Sequence, residues 1–137
     1  MDSVDVVRDL GVLLDSELTM KQHINHVVSV GYYHLRRLSQ LRRHITQDAM
    51  KQLVFSINLC RIDYSNSILI GLPACSTVPL QRLQNAAARL VMVLRTRDLV
   101  TSAQAGLHWL PVHFRIMYKV ALTMFYIHPY QPVSCLP

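Results

Sequence analysis

"LVFSINLCRIDYSNSILIGLP", residues 53–73, decides how the chain is read. Leu53, Phe55, Ile57, Leu59, Ile62 and Ile68 leave almost no polar face, and a helix that is apolar all round belongs in the middle of a bundle. Thr46 is placed to cap this helix, Asp48 to sit on the positive end of its dipole, and Ile45 to staple onto Met50. Gly71 and Pro73 supply a stop. The pattern therefore predicts one central, buried helix ending at Gly71. Within it Asp63 has no acidic neighbour, the nearest in sequence being Asp48. Two-metal phosphoryl transfer needs more than one carboxylate around cations about 4 Å apart. Asp63, Arg61 and Tyr64 are instead expected to bond to adjacent elements, because buried polar groups must be satisfied. No catalytic residue is expected.

Upstream, "VRDLGVLLDSEL" reads as a short extended segment, with Gly11 allowing a bend or a close approach. Thr19, with Gln22 three residues later, has the spacing of a capping box and is expected to open a helix. Ile24, Val27, Val28, Gly31, Leu35 and Leu38 form its apolar stripe, and Gly31 should let another helix come close. Arg36 and Arg37 fall off that stripe. Downstream, "STVPLQRLQNAAARLVMVLRTRD" predicts a helix with Pro79 in its first turn and Leu80, Leu83, Ala87, Leu90, Val91 and Leu94 facing the core. Arg82 and Arg89 share its opposite face with Asn85 nearby, and Arg95 and Arg97 suit its negative end. A short helical turn, a break at Leu110-Pro111 and a last helix complete the chain, with Trp109 filling an inter-helix gap.

These elements make one mainly α domain of four to five helices. Residues 1–18 form the N-terminal extended segment or strand, 19–127 the helical domain, and 128–137 a frayed, proline-punctuated tail. With 137 residues, 51% of them apolar, the chain can bury one core. Its net charge of +6 is unevenly spread: residues 1–18 carry five acids against Arg8, whereas residues 19–62 carry seven bases against Asp48. Such asymmetry points to a polyanion, usually nucleic acid, or else to a solvated surface. Cys60, Cys75 and Cys135 share no motif spacing and read as reduced thiols. His113, Arg115 and Lys119 interrupt the last apolar stretch, which argues against a membrane span. No signal peptide is expected, and the reading places the protein in cytoplasm or nucleus. His23 and His26 lie one turn apart but lack a third ligand, so no metal site is expected.

Five stretches, "VRDLGVLLDSELTMKQHI", "YYHLRRL", "RIDYSNSILIGLP", "LQRLQNAAARLV" and "LHWLPVHFRIMYK", taken in order over residues 4–126, resemble the region after the catalytic palm in reverse transcriptases of LINE-type (non-LTR) retrotransposons. "QNAAARL" with "LHWLPV" after it is the most specific part. The resemblance implies that Leu10-Gly11-Val12 corresponds to the strand near the primer grip and the helices to a thumb, which steadies template–primer duplex. It also implies that the polymerase carboxylates belong to a palm missing from this stretch, so that the chain is a truncated fragment and no enzyme by itself. The tail departs from the family pattern. Sequence-independent binding of RNA–DNA duplex by Arg36, Arg37, Arg42, Arg43, Arg82 and Arg89 is the resulting expectation. No cofactor, metal, membrane or small-molecule substrate is expected. The competing expectations are a helical interaction module, exposing Leu and Val of the first segment and first helix to a palm domain or to a second copy, and an unselected retroelement fragment without function.

Overall fold

The computed structural model describes residues 6–128, so the tail expected at 128–137 lies, beyond His128, outside the described residues. Val6–Asp9 (β1) and Val12–Asp15 (β2) pair antiparallel, Val6 opposite Asp15 and Asp9 opposite Val12. The two residues between them, Leu10 (φ 47°) and Gly11 (φ 82°), both take the positive φ that a tight hairpin turn demands. The extended segment is thus a hairpin, and Val12 on its inner face is buried.

Helix α1, Lys21–Leu41, begins one residue later than the capping box would place it, with Met20 in the N-cap position. Thr19 is not the N-cap: its Oγ1 accepts only a long 3.5 Å bond from the Lys21 N–H while its hydroxyl donates to the Asp15 carboxylate, and the Met20 N–H donates to Asp15 Oδ1 at 3.2 Å. Asp15, at the end of β2, thereby fixes the corner between hairpin and helix. The α1 stripe behaves as its spacing requires: Ile24, Gly31, Leu35 and Leu38 are buried.

The central-helix expectation needs correction in two ways. First, Gln47–Val54 (α2), a π-helical turn Phe55–Leu59 and Cys60–Asp63 (α3) run on as one rod, and it stops at Asp63 instead of reaching Gly71. Tyr64 is extended, Ser65 is left-handed (φ 54°), and a 3-10 turn covers Asn66–Leu69. The run Ser65-Asn66-Ser67 offers the backbone local alternatives to helix, and that outweighs the apolar residues around it. Thr46 does cap the rod, accepting from the Ala49 N–H at 3.3 Å. Second, the rod is not buried all round. Leu53 and Phe55 are exposed along it, while Met50, Val54, Asn58, Leu59 and Ile62 face inward, and Ile68, beyond its end, is exposed too. The Cys60 N–H donates to Phe55 O, five residues back, and the wider turn keeps positions four apart on one face.

The middle of the bundle is Ala74–Met92 (α4), which packs on α1, α2, Val100–Gly106 (α5) and Val112–Ile127 (α6). Leu80, Leu83, Gln84, Ala87, Ala88 and Val91 are buried along it. It starts at Ala74, so Pro79 falls past the first turn, and it ends at Met92 with Val93 left-handed (φ 59°). Arg95 and Arg97 therefore lie beyond the helix, where the Asp98 carboxylate accepts from the Arg95 N–H at 2.7 Å. Trp109 is buried in the core, as its reading required.

Where α1 meets α4, a Cβ built on Gly31 would lie 2.9 Å from Leu83 Cδ1 and 3.2 Å from its Cγ. Leu83 is wholly buried and has little freedom to swing away. Gly31→Ala is expected to cost about 1–3 kcal/mol by overpacking and Leu83→Ala about 2–5 kcal/mol by leaving a cavity. The double variant should cost clearly less than the sum, because shortening position 83 clears the space that position 31 needs. Urea unfolding of the three variants measures this; strict additivity would mean the two helices do not meet there.

Candidate nucleic-acid interface

The arginines fall into two groups. Arg36 and Arg37 are exposed on α1, diverging by about 100° as neighbours on a helix must. Arg37 folds back over Tyr33, its Nη1 donating to Tyr33 Oη at 3.2 Å with the guanidinium carbon 5.8 Å from the ring centroid. Arg42, half-buried, and Arg43, exposed, come next at the C-terminal end of the same helix. On α4, Arg82 is exposed and Arg89 half-buried, seven residues apart and so on one face. The Arg89 Nε is buried without a partner. Among the described residues no carboxylate pairs with any of the six, and no hydrogen bond links the α1 group to the α4 group. Asn85, expected beside Arg82, turns elsewhere.

Asn85 belongs to a polar network that sequence reading missed. Its Oδ1 accepts from Gln81 Nε2 at 2.9 Å and from Gln104 Nε2 at 2.6 Å, tying α4 to α5. Gln81 Oε1 accepts from the Val112 N–H at 2.8 Å, and Gln84 Nε2 donates to Leu110 O at 2.7 Å. Arg115 Nε donates to the same carbonyl at 2.9 Å, while its Nη1 donates to Asp63 Oδ2 at 2.6 Å. Asp63 thus has the partner on an adjacent element that its lone position in sequence called for. Tyr64 has one too: its hydroxyl donates to Leu10 O at 2.6 Å, pinning the hairpin turn. Arg61 stays exposed. The signal available was the i, i+3, i+4 spacing of Gln81, Gln84 and Asn85, which sets three amides on one side of a helix.

Beside this network a cleft of about 260 Å³ opens between the 3-10 turn and α6, with Asp63, Asn66, His108, Arg115 and Lys119 in its lining. Asp63 Oδ1 and Asn66 Oδ1 are buried without partners. Among the described residues no group of three or more His, Cys, Asp or Glu side chains converges as metal ligands would. His23 instead packs inward under the hairpin, its Nδ1 facing the Leu13 N–H at 3.5 Å. Burial, assisted by the nearby His26, pushes its pKa below the usual value of 6.5. The hydrogen bond from Thr19 draws the Asp15 carboxyl down from 3.8.

The apolar surface is wider than expected. Val7, Leu10, Leu18 and Leu41 are exposed on the hairpin, the corner and α1, but the larger part lies on α6. Among the described residues no helix is long and apolar enough to cross a membrane. No protein-family model matches the chain, and no match emerges from the curated proteins or from the solved structures.

Asp63→Ala should lower stability by about 1–3 kcal/mol, less than for a fully buried pair because the Asp63 side chain is 35% exposed. Arg115→Met should cost more, since it also strips a donor from Leu110 O. Guanidinium unfolding checks both, and unchanged midpoints would show that the ion pair holds nothing. For His23, the unfolded chain takes up a proton near pH 6.5 that the folded protein resists. Stability present above that pH should therefore fall as the solution is acidified toward the lowered folded value. His23→Gln should flatten the change in urea midpoint between about pH 7.5 and 5.5.

Proposed function

We propose that the chain is a thumb-like helical module of a retrotransposon reverse transcriptase, an RNA-directed DNA polymerase, and that it is non-catalytic by itself. On this reading it holds RNA–DNA duplex through the phosphate backbone without reading sequence. The observation that supports it best is the state of the arginines. Arg36, Arg37, Arg43 and Arg82 are exposed, and among the described residues no carboxylate neutralises them. A guanidinium fork that spends no donor on a carboxylate is free to meet phosphate oxygens in a two-pronged contact. Two separate groups, one on α1 and one on α4, suit a polyanion that runs past both.

Such binding is driven by counterion release, so its affinity must fall steeply with salt. Titration of a labelled RNA–DNA duplex between about 50 and 200 mM salt should give a linear log–log plot. Replacing Arg36, Arg37 and Arg82 together by Ala should reduce its slope by about 2–3, close to one per lost phosphate contact. Binding that is absent at low salt, or indifferent to salt, would remove the proposal. Extension of a primed template by the purified protein would overturn its non-catalytic part.

A further inference from the structure

The last helix has two apolar faces and only one of them is used. Val112 and Ile116 point into the core, while Phe114, Met117, Tyr118, Ala121, Met124 and Phe125 are all exposed on the far side. Their spacing alternates three and four: Phe114 to Met117 to Ala121 to Met124, with Tyr118 and Phe125 completing the seam. That is the repeat by which one helix interlocks with another. None of the six carries a charge. The cations of the helix, Arg115 and Lys119, line its edge toward the Asp63 cleft instead.

We propose that this face docks onto the same face of a second copy of the chain, making a two-fold dimer through an antiparallel pair of α6 helices. Ala121 is the small residue at the centre of the seam, so two helix axes can approach there without a large side chain between them. Antiparallel pairing about Ala121 sets Met117 against Phe125, and Tyr118 against Met124, of the second copy. Both are sulfur–aromatic contacts of a favourable kind. An isologous pairing sets each face against its own copy, and because none of the six residues is charged no like charges are brought together.

The area suffices for a modest dimer. Phe114, Tyr118 and Phe125 are 54%, 60% and 72% exposed, and Met117 and Met124 about half. With aromatic side chains burying about 150–250 Å² each, the seam offers about 450–600 Å² per copy. Two copies together reach about 900–1,200 Å², at the low end for a specific interface, where a weak, reversible association is expected. The arginines of α1 and α4 take no part, so duplex binding is a separate measurement with a separate outcome.

Sedimentation equilibrium of the full chain from about 1 to 200 μM should show a reversible monomer–dimer transition. Phe125→Lys or Met117→Lys, both at exposed positions, should weaken the dimer at least about 100-fold, because the symmetric interface loses each side chain twice. Their circular dichroism should be unchanged. With Cys60, Cys75 and Cys135 replaced by Ser, Ala121→Cys should cross-link to itself on oxidation, and Ser29→Cys on α1 should not. A monomer at every concentration would overturn the proposal, and so would a dimer indifferent to both lysines. A monomer that associates with anionic lipid vesicles through the same face would overturn it in favour of a membrane surface.

Discussion

The Leu110 carbonyl accepts from Gln84 on α4 and from Arg115 on α6, at the corner where Pro111 forces the chain out of helix. Both donors are themselves held. Gln81 bridges to Gln84 and Asn85 while receiving the Val112 N–H, the first donor that α6 leaves orphaned. Arg115 reaches on to Asp63, at the end of the rod formed by α2 and α3. One corner therefore sets the positions of α4, α5, α6 and the end of the α2–α3 rod relative to one another. The apolar contacts around it would tolerate many arrangements, whereas a buried amide network has few geometries in which every member is satisfied. Gln84 is wholly buried at the centre of this web, but Gln81 is the side chain whose loss would strand most groups, because the Val112 N–H and Gln84 Oε1 have no other partner.

Local rules carried the reading of the sequence a long way. The α1 stripe, the close approach at Gly31, the Thr46 cap, the break before Pro111 and the burial of Trp109 each derive from residue spacing or from one residue's stereochemistry. The failures share a different cause. The capping box at Thr19 lost to Asp15, a carboxylate four residues upstream that accepts from both the Thr19 hydroxyl and the Met20 N–H. The central helix was carried from its cap at Thr46 to Gly71 by apolar count, but the rod stops at Asp63, where Ser65-Asn66-Ser67 turns the backbone away from helix. The centre went to α4 because its small residues, Ala87 and Ala88, let neighbours press from several sides. A hydropathy stripe records how apolar a helix is and says little about how closely others can approach it.

The candidate interface was legible as composition and only partly as geometry. Each expected arginine falls at or near the surface, where its lack of an apolar-stripe position put it. Their distribution over two helices was legible as well; what sequence could not supply is that Arg37 folds back over Tyr33 and that the Arg89 Nε is buried. Nor could it show that Arg115, one more basic residue in the same count, is spent inside the fold on Asp63. A charge total cannot separate a structural cation from a free one, because the distinction lies in partners far away along the chain.

The stretches that carry the resemblance to reverse transcriptases are, for the most part, the stretches that build the network. "LQRLQNAAARLV" supplies Gln81, Gln84 and Asn85, "LHWLPVHFRIMYK" supplies Leu110, Val112 and Arg115, and "RIDYSNSILIGLP" supplies Asp63. Tyr64 of the last binds Leu10 of "VRDLGVLLDSELTMKQHI". Residues so engaged are constrained by packing whatever the protein does, and a likeness among them is first of all a likeness in how helices are joined. The chemistry must be sought in the side chains that the network leaves out. Those are of two kinds, the unpaired arginines of α1 and α4 and the apolar seam of α6. The first is cationic and the second apolar, so on the reading proposed above they would take partners of opposite character.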